Sequence, residues 1–287
     1  MRVLLVGGSG QLGTAIRRRW SDCEIVAPPH GELDIADSQA LRSAVERIAP
    51  DAIVNAAAFH DVDTCEREPE AAFAINAIAV GRAARLARDR GAIFVTMSTD
   101  YVFDGASGVA YVETDLPRPL SAYGASKAAG EYLTQSAGGK AFVVRTCGVY
   151  GESPTTSRRP LIRRVLNWRA GDAPLRVVAN VFVSPTFADD LAGALRRLVA
   201  TTAYGLYHAV NEGPVSWYEF ALETARAAGL EMPIEPIEAS QWRTEALRPR
   251  FSALANGRLA RLGVAVPDWR GGIRGYLDSL GVSRAVR

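Results

Sequence analysis

Short apolar runs alternate along the chain with longer amphipathic segments. The runs at 2–6, 50–58 and 92–97 are rich in Val, Ile and Ala, which is typical of strands buried on both faces of a parallel sheet. Segments between them, such as 38–48, repeat apolar residues at helical spacing. Strands that alternate in this way with helices predict an α/β fold in which helices cover both faces of the sheet.

A glycine-rich turn directly follows the first of these runs. Gly7, Gly10 and Gly13 form the pattern G-x-x-G-x-x-G, and residues 14–20 have helical character. Glycines let the backbone approach a pyrophosphate, and a helix N-terminus offers free N–H groups and the positive end of a dipole. The order strand, glycine turn, helix therefore predicts a Rossmann-like, doubly wound sheet with a dinucleotide site. The predicted contacts of this site are Gly7, Ser9, Gly10, Gln11, Leu12 and Gly13.

A tyrosine and a lysine four residues apart carry the second chemical signal. Tyr123 and Lys127 lie near the start of a predicted helix, where this spacing stacks them on one face. An ammonium beside a phenol favours the phenolate, so we expect Lys127 to lower the pKa of Tyr123 from about 10. Of the 33 lysine and arginine residues only Lys127 and Lys140 are lysine, which favours a specific role for a compact cation at position 127.

Polar and small residues at predicted strand ends complete the candidate site, because ligands of a doubly wound sheet bind at the carboxyl ends of its strands. Ser98 and Thr99 follow the run at 92–97, and either hydroxyl can donate a hydrogen bond to a substrate carbonyl. Asp34, followed by Ile35, is a candidate contact on the adenine side, although a role in a helix cap or turn fits it equally well. A candidate cofactor wall consists of Asn55, Ala56, Ala57 and Ala58.

The bulk composition excludes several classes of protein. With 287 residues, 48% hydrophobic and 22% charged, the chain is a globular protein with one large domain or two coupled lobes. A net charge of +2 indicates neither a nucleic acid nor a membrane partner. The three cysteines and three histidines lack metal-ligand spacing, so we expect no metal and no disulfide framework. Neither a signal peptide nor a long apolar run is visible, and we expect a cytoplasmic location.

Taken together, these motifs resemble the extended short-chain dehydrogenase/reductase superfamily, and within it the dTDP-4-dehydrorhamnose reductase family. They follow the order of the family over nearly the whole chain. They are the glycine loop 7–13, the segment 50–58, the run 98–103, the stretch 123–127 with Gly130 and Glu131, the segment 145–151, the triplet 184–186, and the segment 248–252 ahead of Asn256.

The resemblance implies the reduction of a nucleotide-linked 4-keto-sugar. Thr99 would hydrogen-bond the keto oxygen, Tyr123 would donate the proton, and Lys127 would tune Tyr123 and hold the nicotinamide ribose. NADP or NAD would supply the hydride, and a homodimer is expected by family. Further cofactor contacts would be Asn76, Ser98, Arg145 and Cys147. Substrate contacts besides Thr99 would be His60, Val62, Asp100, Tyr101, Phe103, Gly148, Ser184, Pro185 and Thr186.

The resemblance also implies two parts of the chain. A dinucleotide-binding domain would span 1–150 and be rejoined by 176–212, and a smaller C-terminal substrate-binding lobe would take 151–175 and 213–287. Three positions depart from the family pattern. Gly148 stands where a Trp often packs on the sugar, Phe59-His60 replaces a usual His-Thr, and Gly8 replaces a basic residue. These departures leave open the choice of keto-sugar and the choice between NADP and NAD.

Two alternative functions remain open. An epimerase or dehydratase on the same scaffold would use the same Tyr–Lys pair but retain its cofactor through the reaction. A cofactor-binding regulatory subunit would bind the dinucleotide without catalysis. A serine hydrolase is disfavoured, since His60, Ser98 and Asp100 can be drawn as a triad but no G-x-S-x-G turn surrounds a serine.

Overall fold

The computed structural model describes residues 1–154 and 160–282 of the chain. Within these residues the strands are β1 (Arg2–Val6), β2 (Glu24–Val26), β3 (Ala52–Asn55), β4 (Ile93–Thr99), β5 (Ala141–Thr146), β6 (Leu175–Val178), β7 (Phe182–Val183), β8 (Gly205–His208), β9 (Val215–Ser216) and β10 (Ile234–Ile237). Residues 155–159 and 283–287, which the sequence assigns to the smaller lobe, lie outside the described residues.

Helices connect the strands throughout the same residues. They are α1 (Gln11–Arg19), α2 (Ser38–Ile48), α3 (Val62–Arg67), α4 (Pro69–Phe73), α5 (Val80–Asp89), α6 (Ala122–Ala137), α7 (Leu161–Leu166), α8 (Ala188–Val199), α9 (Trp217–Ala227), α10 (Gly257–Arg261) and α11 (Trp269–Ser279). A π-helical segment, Ala74–Ala79, separates α4 from α5, and 3₁₀ turns occupy Asp100–Val102 and Ala239–Gln241. In the described part of the chain, none of these helices has the length and apolar character needed to cross a membrane.

Six parallel strands form the central sheet in the order β2-β1-β3-β4-β5-β8. The chain moves from β1 to β2 on one side and then returns to place β3 on the other side of β1. The topological switch point therefore lies between β1 and β3, where the glycine loop and the small-residue segment follow their strands. The predicted doubly wound α/β fold is confirmed.

Helices cover both faces of this sheet, which explains why its strands are apolar along their whole length. On one face α1 and α8 pack against the sheet through fully buried Ile16, Trp20 and Leu195. On the other face α2 and α5 contribute Leu41 and Val80 to a second core. These two cores fix the positions of the strand ends that carry the site.

The segment 176–183 is rich in Val, which predicts a single strand, but the structure divides it. It forms two short strands outside the central sheet, because β6 pairs in parallel with β10 and β7 pairs antiparallel with β9. Val177 of β6 packs with Val165 of α7 and Ala221 of α9, so local burial draws this segment to the C-terminal elements. Of the segment 176–212, α8 and β8 return to the central sheet.

Glycines hold helix α6 against its neighbours. A side chain at Gly124 would overlap the carbonyl oxygen of Tyr101, and one at Gly130 would overlap that of Asn76. Asn76 lies in the π-helical segment, and its side chain donates to Phe59 O at 2.9 Å and to Ser126 Oγ at 3.1 Å. The missing Cβ atoms thus let α6 lie directly on the end of β4 and on the π-helical segment.

The close approach at Gly130 predicts a measurable cost of substitution. We expect Gly130→Ala to lower the free energy of unfolding by about 1–3 kcal/mol, because its Cβ must displace backbone. Gly193→Ala is the matched control, since a Cβ at this helical position in α8 meets no neighbouring element within 4 Å. It should raise the free energy of unfolding by about 0.5–1 kcal/mol. Urea unfolding measures both changes, and equal effects at the two positions would contradict the packing described for α6.

Candidate active site

The glycine loop lies at the switch point and packs closely on the end of β3. Gly7 has φ +81, and a Cβ there would lie 2.7 Å from the backbone nitrogen of Ala57. A Cβ at Gly13 would overlap the carbonyl oxygen of Gly7. Gly10, at the N-cap of α1, has no side chain with which to cap the helix, so the first-turn N–H groups face the loop. Backbone donors beside a surface without side chains fit a pyrophosphate.

The predicted cofactor wall consists of three half-buried residues and one buried residue. Ala56, Ala57 and Ala58 are half-buried and line the edge beyond β3. Asn55 is fully buried, and its side chain accepts from the Ala57 N–H at 3.1 Å, so its role here is to fix the turn. Asn76 likewise uses its side chain internally, accepting from Phe59 N at 2.9 Å as well as making the two donations described above.

The adenine-side candidates lie beyond β2. Asp34 is half-exposed, and its carboxylate accepts from the Ala36 N–H at 2.8 Å in a local turn. Ile35 is buried in the core beneath α2. The turn interpretation therefore describes the observed bonds of Asp34, and its contact with adenine stays a prediction.

The three residues predicted to act in catalysis meet at the carboxyl end of β4. Thr99 is the last residue of that strand, and its hydroxyl accepts from the Tyr101 N–H at 3.2 Å and donates to Asp100 Oδ1 at 3.0 Å. The Thr99 hydroxyl also lies near enough to Tyr123 to act on the pKa of its phenol. Tyr123 is half-buried with its ring edge-on to Tyr101, with 5.8 Å between centroids. Lys127, one turn further along α6, is buried.

Burial, and not the neighbouring lysine, dominates the titration of Tyr123. Desolvation raises the pKa of Tyr123 above its usual 10, and the neighbouring Thr99 hydroxyl opposes this rise only in part. Burial also lowers the pKa of Lys127 to about 8, against the opposing charge of Glu131. The expected depression of the Tyr123 pKa is therefore wrong in this structure. Tyr123 is a protonated phenol at neutral pH, which is the form that donates a proton.

Several predicted substrate contacts lie beneath the rim. The Asp100 carboxylate is buried, accepts from Ser252 Oγ at 2.5 Å, and has a pKa raised by desolvation. Phe103 is fully buried and stacks on Tyr111 at 4.0 Å between centroids. Ser184, Pro185 and Thr186 are also buried, and Cys147 lies with Phe103 in an apolar cluster. These side chains support the rim in the structure, so direct contact with substrate through them stays a prediction.

The remaining candidates differ in their accessibility. His60 and Gly148 are exposed, and Val62 and Tyr101 are half-buried, so these four line the open side of the site. The side chain of Ser98 is buried and donates to Glu131, and the Arg145 guanidinium is 3% exposed in an ion pair with the same carboxylate. Among the described residues, no group of three His, Cys, Asp or Glu side chains is arranged to hold a metal ion.

The sequence matches the family described as RmlD substrate binding domain over residues 1–282. The chain belongs to this family. The resemblance inferred from its motifs is thereby confirmed, and the match extends from the glycine loop through α11.

Relatives of this family member are similar over almost its whole length. The spore coat polysaccharide biosynthesis protein SpsK of Bacillus subtilis is 34% identical over 96% of this chain and 97% of its own. A dTDP-4-dehydrorhamnose reductase of Burkholderia thailandensis is 34% identical over 94% of this chain and 96% of its own. The structure of a dTDP-4-dehydrorhamnose reductase from Bacillus anthracis, in complex with NADP, matches with a TM-score of 0.92 at 31% identity and covers 97% and 99% of the two chains.

Trp217 is a site neighbour that sequence reasoning missed. Gly148 has φ +50, and a Cβ there would lie 2.8 Å from Cη2 of Trp217, whose indole is half-buried. The Trp217 side chain also packs beside Cys147 and Val183. It therefore fills space above the position that departs from the family pattern. The signal is not local, because Trp217 begins α9 in the C-terminal part of the chain.

A second missed feature joins α3 to the segment 245–248, and we call it the Asp63 clamp. The Asp63 carboxylate accepts from Nη1 and Nη2 of Arg248 at 3.1 and 3.0 Å. It also accepts from the backbone N–H groups of Glu245 and Ala246 at 3.2 and 3.1 Å. Arg248 in turn hydrogen-bonds Tyr101, so the clamp lies beside the candidate site. The motif at 248–252 pointed to this segment but not to its partner.

The Asp63 clamp predicts a pH-dependent stability. Arg248 and the two N–H groups lower the pKa of Asp63 from 3.8 to about 2, so its contribution is present above pH 4 and is lost as the pH falls towards 2. We expect Asp63→Asn to lower the free energy of unfolding at pH 7 by about 1–2 kcal/mol, after allowance for partial exposure. The difference from wild type should shrink below pH 4, as measured by urea unfolding across the pH range.

Asp22→Asn is the matched control. Arg196 also lowers the pKa of Asp22 to about 2, but the Asp22 side chain is 58% exposed and its pair is screened by water. If Asp63→Asn were no more destabilising than Asp22→Asn, the clamp would not stabilise the fold.

Proposed function

We propose that this protein is an NAD(P)H-dependent reductase of the 4-keto group of a dTDP-linked sugar. The observation that carries the proposal is the meeting of Thr99 and Tyr123, with Lys127 one turn further along, on the rim that also carries the glycine loop. The named reductases among the relatives, similar along nearly the whole chain, support the substrate class.

The residues present fit a dinucleotide cofactor. The pyrophosphate would lie against the glycine loop, where side chains at positions 7 and 13 would meet backbone, and beside the first turn of α1. Ala56, Ala57 and Ala58 would form the adjoining wall. When bound, the nicotinamide supplies a hydride to the carbonyl carbon. The NADP complex of the Bacillus anthracis relative supports this cofactor class, with NADP or NAD as the candidates.

The hydroxyl groups of Thr99 and Tyr123 would converge on the keto oxygen. Tyr123 gives its proton to this oxygen as negative charge develops there, and Thr99 orients the carbonyl. The resulting phenolate lies one helical turn from Lys127, whose ammonium stabilises it. Because burial keeps Tyr123 protonated at rest, the acid is in its active form across the neutral range.

The substrate side would be formed by His60, Val62, Tyr101 and Gly148, which line the open side of the site. A cytoplasmic location and a homodimer also stay predictions. The free thiols of Cys23, Cys65 and Cys147 support a reducing compartment.

Tyr123→Phe tests the reaction directly. The variant should lose a factor of about 10²–10⁴ in kcat, because the phenol is the proton donor, while its Kd for NADPH changes little. Tyr132→Phe is the matched control, since Tyr132 lies on the same helix with 72% of its surface exposed. Oxidation of NADPH or NADH with dTDP-4-keto-6-deoxy sugars measures turnover. Wild-type activity in Tyr123→Phe would exclude the proposed role.

The purified protein distinguishes the alternatives. A reductase releases its oxidised cofactor at each turnover, whereas an epimerase or dehydratase retains it. Stoichiometric nicotinamide cofactor released on denaturation would favour an epimerase or dehydratase. Absence of turnover with every keto-sugar, together with co-purification of an enzyme partner, would favour a regulatory subunit.

A further inference from the structure

A buried charged network lies directly beneath the Tyr123–Lys127 pair. The Glu131 carboxylate accepts from Arg145 Nε at 2.8 Å and Nη2 at 2.7 Å, and from Ser98 Oγ at 2.5 Å. The side chains of Arg145 and Glu131 are only 3% and 4% exposed. Its three charge-assisted bonds give this carboxylate a fixed place in the fold.

The network joins the elements that carry the reacting groups. Glu131 follows Lys127 by one helical turn on α6, so the two side chains share a face. Ser98 immediately precedes Thr99 on β4, and Arg145 comes from the neighbouring strand β5. A single carboxylate therefore connects the helix of Tyr123 and Lys127 to the strand of Thr99.

Few charged groups face Lys127. The Glu131 carboxylate on the same helix and the Cys65 thiol on α3 both raise the pKa of Lys127, whereas burial lowers it. The pKa of Cys65 is itself raised to about 11, so this thiol carries no charge at neutral pH. Among the described residues, the Glu131 carboxylate is thus the group whose charge raises the pKa of Lys127 most.

Two further side chains touch the network without adding charge. Nε2 of His208 lies 3.4 Å from Arg145 Nη1, and the pKa of His208 is lowered to about 3 by burial and by Arg145, so the imidazole is neutral. The Phe103 ring lies 5.0 Å from the Arg145 guanidinium carbon. The opposite charges of Glu131 and Arg145 therefore compensate each other, and neither His208 nor Phe103 adds to them.

Stability alone does not explain such a pair. Replacement of a buried ion pair by apolar side chains of similar volume is often neutral or stabilising, since desolvation offsets the attraction of the charges. A buried pair that faces a lysine on the reacting helix has a second effect, because it sets the electrostatic potential at that lysine.

We propose that Glu131 is a positioning residue for the reduction, fixed by Arg145 and Ser98 so that its charge holds Lys127 as an ammonium beside Tyr123. The inference rests on the proposed function for its catalytic consequence, but the charge of Lys127 is measurable without any substrate. Glu131 touches none of the reacting groups itself and acts through Lys127.

The chain is well suited to a direct test because it contains only two lysines. Protein labelled with ¹³C at lysine Cε gives two resonances, and Lys140→Arg assigns them. In wild type the Lys127 resonance should titrate near pH 8. In Glu131→Gln its midpoint should fall by about one pH unit or more, as expected on loss of a nearby opposite charge. The exposed Lys140 should be unchanged and serves as the internal reference.

A second variant covers the possibility that Glu131→Gln, which leaves Arg145 unpaired, fails to fold. The double variant Glu131→Met, Arg145→Met replaces the ion pair by apolar side chains and should fold with near wild-type stability in thermal unfolding. Its Lys127 midpoint should also fall, but by less than in the single variant, because the guanidinium of Arg145 is removed together with the carboxylate. If Lys127 titrates as in wild type in the folded variants, the proposal is overturned, whatever sugar the protein reduces.

Kinetics provides the second readout. With the sugar on which wild type turns over, the alkaline limb of the kcat profile should move to lower pH in either variant by the shift seen for Lys127. A purely structural role would lower activity equally at all pH values. If the Lys127 resonance shifts but the alkaline limb of the kcat profile does not move, the catalytic part of the proposal is overturned. If the wild-type protein reduces no sugar, only the proposed function is overturned.

Discussion

Helix α6 lies closer to its neighbours than any residue but glycine permits, and the site depends on this contact. The carbonyl oxygens of Tyr101 and Asn76 occupy the space where side chains at 124 and 130 would be. Both contacts lie on the same helix as Tyr123 and Lys127. Because backbone touches backbone there, the spacing between α6 and the end of β4 has little freedom to vary. The proximity of Thr99 to Tyr123 follows from that spacing.

The same proximity removes water from the reacting groups. Desolvation raises the pKa of Tyr123 and lowers that of Lys127, so it brings both side chains towards their neutral forms. Opposite-charge attraction between the two would act the other way, and burial exceeds it in this structure. The result is a phenol that holds its proton and an ammonium that burial disfavours and the Glu131 carboxylate favours. The chemistry of the pair is set by its surroundings more than by its spacing along the helix.

Local signals in the sequence predicted the parts of the fold that are built locally. The strand, turn and helix around Gly7–Gly13 are present. The central sheet follows from alternating apolar runs. The segment 176–183 has equally strong strand character, yet its pairing with β10 and β9 depends on distant segments that periodicity does not specify.

The candidate site likewise has parts that local motifs predict and parts that depend on distant segments. Each of the three predicted catalytic residues belongs to a short motif, and the fold brings these motifs to one rim. Thr99, Tyr123 and Lys127 therefore lie together. Trp217 above Gly148 and Arg248 on Asp63 come from elements far away in sequence, so no spacing rule reveals them. Phe103 and Asp100 belong to a motif at the rim, but burial depends on three-dimensional packing, and both are directed inwards. The residue types indicated the chemistry of the candidate site, whereas the accessibility of each side chain could be known only from the structure.

The Asp63 clamp fastens the segment 245–248 to α3 through one side chain. Four hydrogen bonds from the segment 245–248 end on one carboxylate, and two of them come from a single guanidinium. Rotation of the Asp63 side chain away from this segment would break all four together. Because the four bonds share one acceptor, the segment 245–248 is joined to α3 at a single point.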